Sequence, residues 1–336
     1  MDRKLDFVYP AIIDAFSGVA GNISVQLNYK GYTPLVIANH FLITYYHDSK
    51  CSGFNWRHYN DDYGHFTDMH ELVQKKGIVK ALVEVLNLGF YVHIVLDHYY
   101  IRAAQRYQKF HFFHDCATVL GYNTEKEIFY TADNFVSGKF QVLEIPYRDI
   151  EMAREGNEEK IVEKFYFNND IYYKLTPNKL KSLVRGYLDG QYYEYDAEQD
   201  KILAAEQNHN ELYGILIYEV LLKQALKMEE ENYFFDVRSY HVMFNHMNIG
   251  VLLIQWLQDT YSELAETIKE KDYLQRYTEL AYKMNQARNL FLKLEVKYTK
   301  SGRDRLLELV KSTKEEEAEL LEELYQDLDV CINPMS

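Results

Sequence analysis

The sequence predicts an α+β N-terminal half, a helix packed on an antiparallel sheet, followed by an all-α C-terminal half. Three observations carry this expectation. Between residues 91 and 145, short apolar runs alternate with turns rich in Asn, Asp and Gly, the pattern of consecutive strands. Ahead of them, residues 16–29 (FSGVAGNISVQLNY) place Val19, Ala20, Ile23 and Leu27 at helical spacing. Beyond Glu158 the strand signal fades and long helical periods take over. The boundary is expected near residue 157, giving units 1–157 and 158–336 with no internal repeat and no low-complexity linker.

Taken in order, the first helix is stopped by Gly31. A second is expected from Pro34 to Tyr46, followed by an irregular, aromatic-rich segment from Cys51 to Phe66. Residues 68–87 read as one amphipathic helix with Leu72, Ile78, Leu82, Val85 and Leu86 on its apolar face. Strands are expected at 91–96, 114–122, 127–133 and 138–145, then a short helix at 147–155. In the second half, helices are expected at 177–189, 203–228, 236–262, 263–299 and 301–328, with Asp236 and Ser301 as N-caps. The acidic run Glu315-Glu316-Glu317 reads as a solvated face of the last helix.

Composition narrows the function classes. With 336 residues and 47% hydrophobic content, the chain can bury a sizeable core. A formal charge of −14 argues against indiscriminate binding to nucleic acid or anionic membrane. It leaves room for a local basic patch facing an acidic carrier protein. Cys51, Cys116 and Cys331 are distant and odd in number, so no disulfide framework is implied. No signal-peptide pattern and no run of about 18 apolar residues is present, so a soluble cytoplasmic protein is the expectation. The 31 tyrosines could line a cleft but are read as a compositional bias.

One constellation carries chemistry. Two strands joined by the polar turn 123–127 would bring His114 and Asp133 to the same edge of one sheet. That is a base and the carboxylate that orients it. A thiol site of this type also needs a nucleophile at a helix N-terminus, where the dipole favours a thiolate. The first helix begins near residue 15, and residue 15 is an alanine.

Here the sequence resembles a family. Asp14-Ala15-Phe16-Ser17-Gly18 at the head of a helix ending at Tyr29-Lys30-Gly31-Tyr32 looks like the Asp-Cys opening of bacterial papain-like domains, among them exporter leader peptidases. Leu96-Asp97-His98-Tyr99-Tyr100, the strand His114 to Tyr122 and the ending Ala132-Asp133 are similar to the butirosin biosynthesis H family. Asp236 to His241 and the helix after them extend the likeness into the second half. The resemblance implies a papain-like N-terminal half. It also implies a cysteine-type acyltransferase that moves an acyl group from the phosphopantetheine thioester of an acyl or peptidyl carrier protein to an amine. A related papain-like enzyme forms the amide bonds of the polythioamide closthioamide, and this chain could be of that kind. No cofactor of its own is implied beyond the partner's phosphopantetheine arm.

Within that resemblance, position 15 is the nucleophile position, His114 the base and Asp133 the orienter. Backbone amides around Phe16 would hold the oxyanion, with the Tyr9 hydroxyl as a further candidate. Ala15 reads as an engineered Cys→Ala change, or else as a natural pseudoenzyme that binds an acylated carrier without catalysis. A peptidase or amidase is the other alternative. Ser17 could substitute as nucleophile, although a serine near a helix start is more often a cap. Asn134 could orient the ring in place of Asp133. Cys116 reads as buried and inert, Cys51 as a weak nucleophile candidate, and Asp97 either as a cleft residue or as a strand end. His40, His47, His58, His65 and His70 lack zinc-site spacing and read as scattered polar histidines.

Overall fold

The computed structural model describes residues 1–47, 52–56, 63–114, 116–196, 201–204, 211–230 and 238–329. The chain starts with β1 (Asp2–Lys4), α1 (Ser17–Gln26), α2 (Thr33–His40), β2 (Ile43–His47), β3 (Ser52–Trp56) and β4 (Gly64–Asp68). Then come α3 (His70–Lys76), α4 (Ile78–Asn87), β5 (Tyr91–Ile94), β6 (Ala117–Asn123), β7 (Ile128–Val136), β8 (Lys139–Pro146), α5 (Tyr147–Arg154) and β9 (Val162–Phe167). The remainder is α6 (Pro177–Asp189), β10 (Tyr193–Asp196), β11 (Lys201–Ala204), β12 (Glu211–Tyr213), α7 (Ile217–Leu226), α8 (Arg238–Thr260), α9 (Ser262–Glu270), α10 (Tyr273–Val296) and α11 (Lys300–Asp327).

The chain divides into two compact units. The first joins Met1–Tyr32 to Asp61–Ile171, and the second joins Thr33–Asn60 to Tyr172–Ser336. This is not the single cut near residue 157 that the sequence suggested. Two pairings explain the difference. β9 lies between β4 and β5 and keeps the chain in the first unit past residue 157. β2 pairs with both β3 and β12, which ties the segment after Tyr32 to the second unit.

The first unit holds a seven-stranded antiparallel sheet ordered β4-β9-β5-β6-β7-β8, with β1 added to β6. Leu82, Val85 and Leu86 of α4 and Ile150 and Ala153 of α5 share one apolar cluster with Val92, Ala117, Val119 and Phe129. Side chains alternate along a strand, so Thr118 points to the other face. There α1 lies against β6 and β7. Gly21 permits that approach, because a Cβ at this position would stand 2.0 Å from Thr118 Oγ1. Close packing at Gly21 thereby sets where the N-terminus of α1 comes to rest.

Several expected elements change. The second helix ends at His40, and Ile43-Thr44-Tyr45-Tyr46, β-branched and aromatic, forms β2 instead. The helix expected over 68–87 breaks at Gly77, whose φ of +78° suits glycine and ends α3. Of the helix expected at 203–228, α7 keeps only Ile217–Leu226, with β12 before it. The helix expected at 263–299 is two, α9 and α10, parted at Asp272 with φ +51°. Thr299, not Ser301, caps α11 by accepting from Gly302 N at 3.2 Å. Asp236 lies outside the described residues.

In the second unit, Glu317 is fully buried rather than part of a solvated face. Its Oε2 accepts from Tyr187 at 2.8 Å and Tyr218 at 2.7 Å. Its Oε1 accepts from His246 Nε2 at 2.8 Å and Tyr277 at 3.1 Å. One carboxylate thus links α6, α7, α8, α10 and α11. Among the described residues no helix is long and apolar enough to cross a membrane.

Candidate active site

Asp133 sits on β7 just before the point where the β7–β8 register shifts. It is 1% exposed, so its oxygens must find donors inside the protein. The Asn134 amide reaches Oδ1 at 2.6 Å, His114 Nδ1 reaches Oδ1 at 3.0 Å, and His98 Nε2 reaches Oδ2 at 2.9 Å. Burial pushes this carboxyl up, but the hydrogen bonds and charge of the two imidazoles outweigh it and hold the group down at about 2. An ionised carboxylate only accepts, so each facing ring nitrogen is the one that carries hydrogen. For His114 that puts the proton on Nδ1 and the lone pair on Nε2.

Ser17 Oγ lies 3.0 Å from the same His114 Nδ1. The Nδ1–H is therefore shared between Asp133 and Ser17. A proton relay needs its nucleophile and its orienter on opposite ring nitrogens. Ser17, fully buried and on the orienter's side, is not placed as a nucleophile. Nor is it the helix cap, since α1 starts at Ser17 and its N-cap is Phe16, whose backbone is extended. Ser17 instead steadies the ring. His114 Nε2 has no hydrogen-bond partner among the described residues, and the side chain is 24% exposed.

The segment before His114 is clasped by Asp97, at the end of the chain run that follows β5. Asp97 is buried and accepts from the Tyr99 and Phe112 amides, each at 3.0 Å, and from His111 Nδ1 at 2.6 Å. Burial pushes its carboxyl up, yet these bonds prevail and lower it. His98 N donates to Phe112 O at 2.9 Å, closing the base of the same loop. Asp97 thus organises the loop that delivers His114. The Phe112 ring lies 5.6 Å from both the His98 and the His114 ring, and the Arg106 guanidinium sits 3.5 Å over its face.

The other wall is the start of α1. Asn134 Nδ2 donates to Asp14 O at 3.1 Å and to Gly138 O at 2.7 Å. The residue after Asp133 thereby holds the peptide that leads into half-buried Ala15. Asn134 is a tether for this turn and not the orienter of His114. Ser17 at the start of α1 and Asp133 both reach His114 Nδ1, and Asp14 is tied to Asn134. Tyr9 is not brought into this group: half-exposed, it lines a separate cleft with Lys4, Phe7 and Tyr130.

His98 was not visible in the sequence as part of the site. Its only signal was its place beside Asp97 at a strand end, and nothing in the spacing pointed to Asp133. Cys116 is buried, as expected, whereas Cys51, Cys331 and His58 lie outside the described residues. His40 bonds to Val36 O, His70 to Asp68 and Lys160 O, and His65 stacks on Tyr166. Among the described residues no group of three side chains could hold a metal ion. No protein-family model matches the chain, and no curated protein is significantly similar to it.

Proposed function

We propose that the chain is a papain-like acyl-transfer unit of the cysteine type, with His114 as base, Asp133 as its orienter and residue 15 as the nucleophile position. With Ala15 in place, the chain binds its acyl partner and does not turn it over. One observation carries this reading: an imidazole fixed through Nδ1 by a buried carboxylate, with Nε2 left over, at the start of a helix. The resemblance of Asp14 to Gly18, His114 to Tyr122 and Ala132-Asp133 to the butirosin biosynthesis H family supplies the substrate class.

With cysteine at 15, His114 Nε2 takes the thiol proton and the thiolate attacks the carbonyl of a carrier-bound thioester. The tetrahedral intermediate expels the phosphopantetheine thiol, which receives its proton from His114. An amine then attacks the acyl-enzyme and gives its proton to His114 Nε2, and collapse leaves an amide and the free cysteine thiol. Asp133 stabilises the imidazolium in both steps, and amides at the head of α1 face the developing oxyanion. The partners are an acyl or peptidyl carrier protein and a small amine, in the cytoplasm, with no nucleic acid and no membrane.

Ala15 itself favours a second reading, a carrier-binding protein without catalysis. Incubating Ala15→Cys with acylated carrier protein and a small amine, with products read by mass, separates the possibilities. Amide product supports the transferase. Free acid alone makes the unit a hydrolase. No turnover, with acylated carrier still bound by the Ala15 chain, leaves the binding protein.

A further inference from the structure

The first unit contains a second cleft, of about 390 Å3, lined by Tyr99, Tyr100, Tyr107, Gln108, Arg102 and Arg148. Asp149, 3% exposed, forms part of its wall and fixes Arg102 from behind. The Asp149 carboxylate accepts from Arg102 N at 3.0 Å and from Arg102 Nε at 2.9 Å. Because Asp149 engages the guanidinium only through Nε, both terminal Nη groups have no acceptor among the described residues. Arg148 has no acceptor at all among them. Two guanidinium groups therefore stand against one carboxylate, a local positive excess in a chain whose formal charge is −14. The Tyr99 ring is held by stacking on His111 at 4.4 Å and the Tyr100 ring by an edge contact to Tyr99 at 5.0 Å. No hydrogen bond occupies either hydroxyl among the described residues.

We propose that this cleft binds a small phosphate monoester, with the phosphoryl oxygens on the Arg102 Nη fork and Arg148, and its organic part against the tyrosines. Several donors from two guanidiniums and two hydroxyls match the three oxygens of a phosphoryl dianion better than the two of a carboxylate. The volume lies at the small end of ligand pockets, which fits a monoester and excludes a dinucleotide. The buried Asp149 sets Arg102 in advance, so little side-chain entropy is lost on binding. This inference does not depend on the acyl-transfer reading and stands or falls separately.

The test is calorimetric titration of the full chain with phenyl phosphate, benzoate, phenol and inorganic phosphate. Phenyl phosphate is expected to bind about tenfold or more tightly than phenol, benzoate or inorganic phosphate, and to weaken with added salt. Arg148→Ala should reduce phenyl phosphate affinity by about tenfold and leave phenol unchanged. Arg102→Lys keeps a cation against Asp149 but loses the fork, and should weaken binding by a similar factor. Benzoate binding as tightly as phenyl phosphate would overturn the ligand class. Phenyl phosphate binding no tighter than phenol, or wild-type affinity in both arginine variants, would overturn the site.

Discussion

Asp133 and Glu317 are both buried carboxylates that bind imidazole, yet they do opposite things for the molecule. Glu317 is enclosed by three tyrosine hydroxyls and His246, each of these side chains fully buried, and His246 Nδ1 reaches no partner and no solvent. Asp133 also has one sealed partner, His98, whose Nδ1 is likewise buried and unbonded. Its other partner, His114, is partly exposed and keeps Nε2 available. A buried acid beside a histidine is therefore no mark of a functional site. The mark is a ring whose second nitrogen reaches a place a substrate can occupy. By that criterion the His114–Asp133 pair is the candidate site, and the Glu317 node is a scaffold that gathers helices.

The largest effect is expected at the scaffold. Glu317→Ala strands four buried donors and opens a void, and should cost about 4 kcal/mol or more, read as a lowered urea midpoint. Where the protein remains folded, the reactivity of a thiol placed at position 15 should not change. A change there would break the distinction between the two nodes.

Asp133→Asn should cost about 2 kcal/mol near neutral pH, from a carboxyl held at about 2 against an ordinary 3.8. The sign follows from a lowered folded value. The stabilisation is complete above the unfolded value near 4 and disappears as pH falls through about 2. Denaturation of both proteins between pH 6 and pH 2 should therefore show the gap closing toward acid. A constant gap would mean that Asp133 contributes shape and not charge.

Asn134→Ala removes the tether to Asp14 and should cost about 1 kcal/mol. Its larger effect should be on reactivity at position 15, because the turn that presents this residue loses its anchor. Ser17→Ala should be smallest in stability, about 1 kcal/mol or less, and should slow a position-15 thiol only a few-fold. If Ser17→Ala abolished activity in an Ala15→Cys background as completely as loss of His114, the serine would be more than a support for the ring.

Much of the first unit was legible because strand alternation and Asn/Gly turns are local signals. The strands β6, β7 and β8 follow from them, but His114, expected on the first of these strands, sits in the segment ahead of β6 and meets Asp133 from there. β9 is harder to see, because Val162-Glu163-Lys164-Phe165-Tyr166-Phe167 alternates only in part and helical periods follow it. The membership of Thr33–Asn60 in the second unit depends on β2 meeting β12, a pairing across a long stretch of sequence that composition does not encode. The burial of Glu317 is hidden from the sequence for a related reason. An acidic run reads as solvated unless its donors are known, and Tyr187, Tyr218, His246 and Tyr277 come from four other helices. His98 gives no local signal because its ring bonds Asp133 on β7, far along the sequence, and only its backbone amide bonds within the loop that Asp97 closes.

The most direct measurement is the pH dependence of iodoacetamide alkylation in Ala15→Cys, with and without His114→Gln. A thiol beside the His114–Asp133 pair at the head of α1 should react as a thiolate well below the ordinary thiol value of about 8.5, giving a rate plateau reaching down toward about pH 6. His114→Gln should return the profile to that of a free thiol. An Ala15→Cys profile rising only near about 8.5, and unchanged by His114→Gln, would contradict a base poised over position 15.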